Sequence, residues 1–493
     1  MRRRARPAAL AASLAALCLL AGCTTSVDGT GTAASRAPAP AASGVPSSSP
    51  STSAPPTAAP QPANACAPYT APDPARPVLD LTYTLAADHT QVEGVEKIVF
   101  TPDAEIDELV FRLTPNTAPS VDEGNGIEVT SATADQGAGT ATYEAAGADP
   151  GTQGGLLRIP FASPVAAGTA VTATIAFTTT LGQGSFDRFG RQEGFAWWAS
   201  AHPLLAWERG YGWHDEPLIQ FTAESATSEA MATTLTVTAP ADDVVIMSGN
   251  PTASTGSGAT RTWTASLDAA RDVSVAAGPF ETSDATVDIG AGRSVALRVG
   301  APTGALVQEL EPEFERALTG LSEQFGPFPF PSLAVARLPA SGGGIEYPGA
   351  ILMLDGSRLV AVHETAHQWF YAMVGNSQAQ HAWLDEAFAS FGEQLLDDDP
   401  PPAGILTSDD TPVDMPTADY GENVGGYYST TYDKGSAALF AARKAAGATA
   451  FDAAIQCYVA KNAWTVADPA DLQVALEDLP AALDVLEQAG ALR

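Results

Sequence analysis

The sequence predicts an α+β fold, an antiparallel β-domain of saddle or sandwich form followed by a mostly helical domain. Three observations predict it. From Pro68 to about Ser283, short runs alternate apolar and polar residues between turn-forming stretches. Beyond about Asp284 the apolar residues recur at spacings of three and four. Within that second half stands His363-Glu364-Thr365-Ala366-His367, with Glu386 nineteen residues after His367.

Taken in order, residues 1–23 read as an export signal. Arg2, Arg3, Arg4 and Arg6 precede an apolar run from Ala8 to Leu20, too short for a comfortable membrane span. It ends in Leu20-Ala21-Gly22-Cys23, which resembles a bacterial lipobox, where the chain is cut before the cysteine and the thiol receives a lipid. The expectation is a protein outside the cytoplasm, lipid-anchored through Cys23 to the outer face of the cell membrane. Residues 24–66 are rich in Ser, Ala and Pro, cannot bury a core, and read as a disordered tether.

The β-domain is expected over 67–283. Leu79-Asp80-Leu81-Thr82-Tyr83-Thr84-Leu85 alternates strictly, as a half-buried strand should. Looser alternation marks Glu108–Leu113, Val171–Phe177 and Thr233–Thr238. The aromatic-rich stretch Phe195-Ala196-Trp197-Trp198, with Trp207, Tyr211 and Trp213, either packs an interface or lines a cleft.

The second domain is expected over 284–493. Phe314, Leu318, Leu321 and Phe325 mark one helix face, which Gly326-Pro327 ends. Leu333–Leu338 reads as a strand, and Gly342-Gly343-Gly344-Ile345-Glu346-Tyr347 as a glycine-rich strand edge carrying one carboxylate. Glycine there lets another backbone approach closely. A helix is expected over 357–374, a second over 383–396, and a helical tail from about Asp433.

Composition excludes a nucleic-acid surface: 57 acidic against 24 basic residues give a formal charge of −33. Cys66 and Cys457 are the two cysteines beyond the leader. In an exported protein they form a disulfide or remain separate buried thiols.

The chemistry follows from helix geometry. Residues four apart share a face, so His363 and His367 can offer two imidazoles to one metal. Glu386 supplies a third ligand, leaving one zinc position open, as a hydrolytic site requires. Glu364, beside the first ligand, can take a proton from an attacking water.

These residues resemble the gluzincin aminopeptidases, the family of aminopeptidase N and leukotriene hydrolase. Eighteen residues, Gln368 to Asp385, separate His367 from Glu386, as in the family's zinc signature. His367-Gln368-Trp369-Phe370, Trp383-Leu384-Asp385-Glu386-Ala387-Phe388-Ala389 and Phe325-Gly326-Pro327-Phe328-Pro329-Phe330-Pro331 are similar to its flanking motifs. Gly343-Gly344-Ile345-Glu346-Tyr347 looks like its Gly-x-Met-Glu-Asn strand, with Ile345 and Tyr347 standing where the family has Met and Asn. Tyr432-Asp433-Lys434-Gly435 looks like its Tyr-x-Lys-Gly.

The resemblance implies a thermolysin-like catalytic domain in a form without the large helical C-terminal domain of many relatives, and one zinc ion per chain. Glu364 and Tyr432 would be catalytic, Tyr432 hydrogen-bonding the oxyanion. Glu346 would bind the substrate's free amino terminus, with Gly343 and Gly344 beside it and Tyr427 in support. The expected activity is release of N-terminal residues from peptides by a monomer. The rival readings are a thermolysin-like endopeptidase and a surface protein that binds peptides without turnover.

Overall fold

In a computed structural model of the protein, the described residues are Cys66 and 68–492, apart from 137–139, 185–187, 219–226, 254–257, 341, 355 and 403. The leader, Cys23 and most of the tether lie outside them. Pro62–Arg493 forms one compact unit.

Strict alternation becomes strict one-sided burial. In Val78–Leu85 and Gln91–Phe100 every second side chain is buried. These strands lie in the middle of a seven-stranded sheet that also holds Gly126–Ala134, Val171–Thr180, Met231–Pro240, Thr252–Ala253 and Thr260–Ala270. Its apolar face packs with Leu109, Phe111, Leu157 and Ile159 from a second, four-stranded sheet. One neighbour pair departs from the expected antiparallel pattern: Val78–Leu85 runs parallel to Met231–Pro240. The later strand returns after a long excursion and fills the open edge of the earlier one.

A third sheet joins Val244–Met247, Ser274–Gly278, Phe195–Ala199 and Phe189–Gln192. It packs against a five-stranded mixed sheet ordered Glu281–Asp288, Ser294–Ala301, Ser332–Arg337, Ala350–Met353 and Gly344–Tyr347. The strand Glu281–Asp288 straddles the point where the sequence pattern changes period. Trp197 and Trp198 are fully buried, and none of Phe195, Trp197, Trp198, Trp207, Tyr211 and Trp213 lines the large cleft described below.

The predicted amphipathic helix spans Gly304–Phe325, with Phe314, Leu318, Leu321 and Phe325 all buried. Thr303 caps its start, accepting the Leu306 N–H. Gly326, at φ 102°, ends it. The helix expected over 357–374 is shorter, Arg358–Ala366. Beyond it the chain tightens through Gln368 and Trp369, then reverses at Tyr371, whose φ is 98°. Burial causes the early stop: Trp369 and Phe370 turn into the core against Phe325 and Phe328. The tail is helical over Gly435–Ala446, Ala448–Lys461, Pro469–Ala475 and Pro480–Gln488. It is interrupted by Val466–Ala467, which pairs with Gly375–Asn376.

Cys66 and Cys457 are joined in a disulfide with Cα atoms 5.0 Å apart. The bond lies beside Thr70, whose N–H donates to Ala460. Among the described residues no helix is long and apolar enough to cross a membrane.

Candidate active site

The Arg358–Ala366 helix starts at Ser357, whose hydroxyl accepts the Val360 N–H. The His367 N–H still bonds the His363 carbonyl, so the two imidazoles remain one turn apart although the helix ends between them. The helix Trp383–Asp397 packs beside it and brings in Glu386. Its Oε2 lies 3.3 Å from Nε2 of both His363 and His367. The three side chains offer ligand atoms that lie within 4.8 Å of one another, all substantially buried. Two imidazoles and a carboxylate in that arrangement are a donor set that fits zinc.

The far sides of both histidines are also held. Glu393 Oε2 lies 3.3 Å from His363 Nδ1, and His367 Nδ1 faces both the Phe370 carbonyl at 3.3 Å and Asp385 Oδ1 at 2.9 Å. Such carboxylates fix the ring tautomer and raise ligand basicity. The sequence reading missed both. A signal existed, because Glu393 follows Glu386 by seven residues and therefore shares its helix face.

Glu346 arrives from the edge strand Gly344–Tyr347, and its carboxylate forms a second close group with His367 and Asp385. Glu346 Oε1 and Glu364 Oε2 are buried without a hydrogen-bond partner. Gly344 is required by close approach, since a Cβ there would sit 2.5 Å from Glu364 Cγ. Gly343 is open to the cleft.

Tyr432 lies on a π-helical stretch, Tyr428–Lys434, of the kind that recurs at functional sites. Its ring is parallel to His363 with centroids 5.7 Å apart. Lys434 Nζ anchors this stretch on the carbonyls of Asp409 and Thr411. Gly435 lets it close on the glutamate helix, where a Cβ would meet Ala387 at 2.6 Å. Tyr427 is buried among Tyr420, Tyr428 and Tyr432 and does not line the cleft, whereas Tyr428 does.

The cleft is about 1030 Å³. His363, Glu364, His367, Glu386, Glu346 and Tyr432 all line it, and Pro119, Glu123 and Arg188 reach it from the β-domain. Its electrostatics are those of a cation site. Burial opposes charge on His363, yet bonds to Glu386 and Glu393 push it up to about 10. Burial likewise opposes charge on His367, and Glu346, Asp385 and Glu386 raise it well above the usual range. Burial works to raise Glu386, but the two histidines outweigh it and hold that carboxyl low. Burial lifts Glu364 and pushes Glu346 up to about 8, His367 opposing in each case and neighbouring carboxylates reinforcing. Carboxylates outnumber imidazoles, an imbalance that a divalent cation would relieve.

Residues 354–488 match the Peptidase family M1 domain. Aminopeptidase M1-B of Oryza sativa subsp. japonica is 26% identical over an alignment of 185 residues, with 31% of this chain and 21% of the relative covered. Aminopeptidase M1-D of the same plant is 26% identical over 186 residues, with the same two shares. The chain thus spans about a fifth of the length of these curated relatives. The crystal structure of an M1 zinc metallopeptidase from Deinococcus radiodurans aligns with TM-score 0.60 at 20% identity, covering 84% of this chain and 92% of that one. A mutant form bound to a Tyr-Ser-Ala substrate aligns with TM-score 0.63 at 20% identity, covering 85% and 95%. At that identity the solved structures establish the fold, a β-rich N-terminal part followed by a mostly helical one. Residues 354–488, which hold the histidine helix, Glu386 and Tyr432, therefore form a peptidase family M1 domain of gluzincin type.

Proposed function

We propose that this chain is a zinc-dependent aminopeptidase that releases N-terminal residues from peptides. One observation carries the reading: the carboxylate of Glu346, with its Oε1 buried and unpartnered, lies in the same cleft as the donor set of His363, His367 and Glu386 and close to His367. A buried carboxylate so placed fits a substrate ammonium.

His363, His367 and Glu386 would hold zinc, one ion per chain. When bound, zinc supplies a Lewis acid that polarises a carbonyl and acidifies water. Glu364 takes the proton of the attacking water and passes it to the leaving amine. Tyr432 donates its phenolic hydrogen to the carbonyl oxygen as negative charge develops there. Glu346 accepts hydrogen bonds from the ammonium and fixes the register of the chain. Asp385 and Glu393 orient the histidines.

The test is turnover of a free peptide and its N-acetylated form, with and without a chelator. The expected result is cleavage of the free peptide alone, lost on chelation and restored by zinc. Equal cleavage of both peptides would favour an endopeptidase. No turnover by zinc-replete protein of either peptide, or of aminoacyl anilides, would favour a binding protein. The same reading takes the protein as a monomer tethered outside the cell through Cys23, on the strength of the leader sequence. Release of a Cys23→Ala variant from the membrane fraction tests the anchor.

A further inference from the structure

The edge strand Gly344–Tyr347 sends alternate side chains to opposite sides, as its pleat requires. Gly344 and Glu346 line the cleft, and Ile345 also borders it. Ile345 and Tyr347 pack the other way, against Phe195, Trp197 and Ala276 of the third sheet. The two positions that depart from the family strand are therefore the two that meet the β-domain.

Tyr347 is more than filler there. Its hydroxyl lies 3.3 Å from Ser200 Oγ, and Ser200 Oγ donates to Asp272 Oδ2 at 2.5 Å. Asp272 Oδ1 accepts the Val273 N–H at 2.7 Å. Ser200 and Asp272 flank neighbouring strands, in which Ala199 pairs with Ser274. Ser200 holds a φ of 49°, a strained conformation for a non-glycine residue, and all three side chains are buried. The backbone of the same strand end is held from the metal side. Gln368 Nε2 donates to the Tyr347 carbonyl at 3.1 Å, and Gln368 Oε1 accepts the Gly349 N–H at 2.9 Å. Among the described residues Gly344–Tyr347 pairs only with Ala350–Met353, so its ladder alone leaves it free to shift.

We propose that Tyr347, Ser200 and Asp272 form a clasp through which the β-domain fixes Glu346 at the distance an amino terminus requires. Tyr347 is then a positioning residue for substrate recognition. The proposal rests on reading Glu346 as the ammonium anchor. The clasp acts on where the substrate's amine sits and leaves Glu364 and the metal donors in place.

The experiment is steady-state kinetics of the zinc-loaded protein on an aminoacyl p-nitroanilide, and on a peptide with its N-acetylated form. Tyr347→Phe should raise KM for the free amines about fivefold, the size of one lost hydrogen bond, with kcat within about twofold. Ser200→Ala should match it, and the double variant should go no further, because the two side chains act as one unit. Zinc content should not change. An unchanged KM in Tyr347→Phe, or additive losses in the double variant, overturns the clasp. So does a fall in kcat on the free amines as large as the rise in KM, which a merely loosened fold would give. Asp272→Asn provides an independent reading if either variant folds poorly. Glu346→Gln separates the two levels. If it keeps the preference for free over acetylated peptide, the anchor reading falls and the clasp with it. If it loses that preference while Tyr347→Phe changes nothing, only the clasp falls.

Discussion

Glu364 reaches the cleft beside the two histidines at a cost in burial, which raises its carboxyl above the usual range. It has one oxygen without a partner and no role in the donor set, so its chemistry can be removed without removing the metal. Glu364→Gln should abolish turnover while zinc content, read by atomic absorption, stays near one per chain. Near-normal activity would reassign the base. Glu393 makes the opposite case. It does not belong to the donor set, but it orients His363 through Nδ1. Glu393→Gln should weaken zinc affinity about 10–100-fold, measured by competition with a chelator. A change below about twofold would mean the helix alone orients the ring.

Two elements place these residues. The edge strand brings Glu346 within reach of the histidine helix because Gly344 has no side chain to hold them apart. Gly344→Ala would push its Cβ into Glu364, so activity should drop on the order of 10²-fold with metal retained. Full activity would show that Glu364 can move without penalty. The π-helical stretch places Tyr432. Tyr427 packs against its ring, with centroids 5.9 Å apart. Residues 428 and 432 face the cleft, while Tyr427 points into its own aromatic cluster.

At the scale of the whole molecule, the β-domain and the helices are stapled by buried polar groups. Arg271 donates to the carbonyls of Ser228, Met373 and Thr465, and Gly375 is glycine because a Cβ would strike that guanidinium. The disulfide ties residue 66 to the tail. Within the β-domain, His214 lies between Glu208 at 2.7 Å and Glu216 at 3.4 Å. Burial opposes its charge, but the two carboxylates prevail and push it up to about 9. A folded-state value above the unfolded one, about 6.5, means the folded protein binds the extra proton. The stabilisation is complete below about 6.5 and is lost as pH rises through about 9. His214→Gln should therefore lower Tm at pH 6 and make little difference above that upper value. An equal loss at both pH values would show that packing, not charge, is what His214 contributes.

The sequence by itself determined which residues are the candidate metal donors and candidate base, the β-to-helix order and the amphipathic face of Gly304–Phe325. Each is a periodic or short-range property: two imidazoles four residues apart, a strand alternating every second residue, a helix repeating at three and four. Tertiary structure alone decided which carboxylates stand behind His363 and His367, where the histidine helix stops, and that Tyr428 rather than Tyr427 lines the cleft. It also decided that Tyr347 packs on the β-domain while Glu346 faces the metal donors. These depend on contacts between segments far apart in the chain. Local backbone geometry sets which residues share a face, and only packing against another element sets what that face meets.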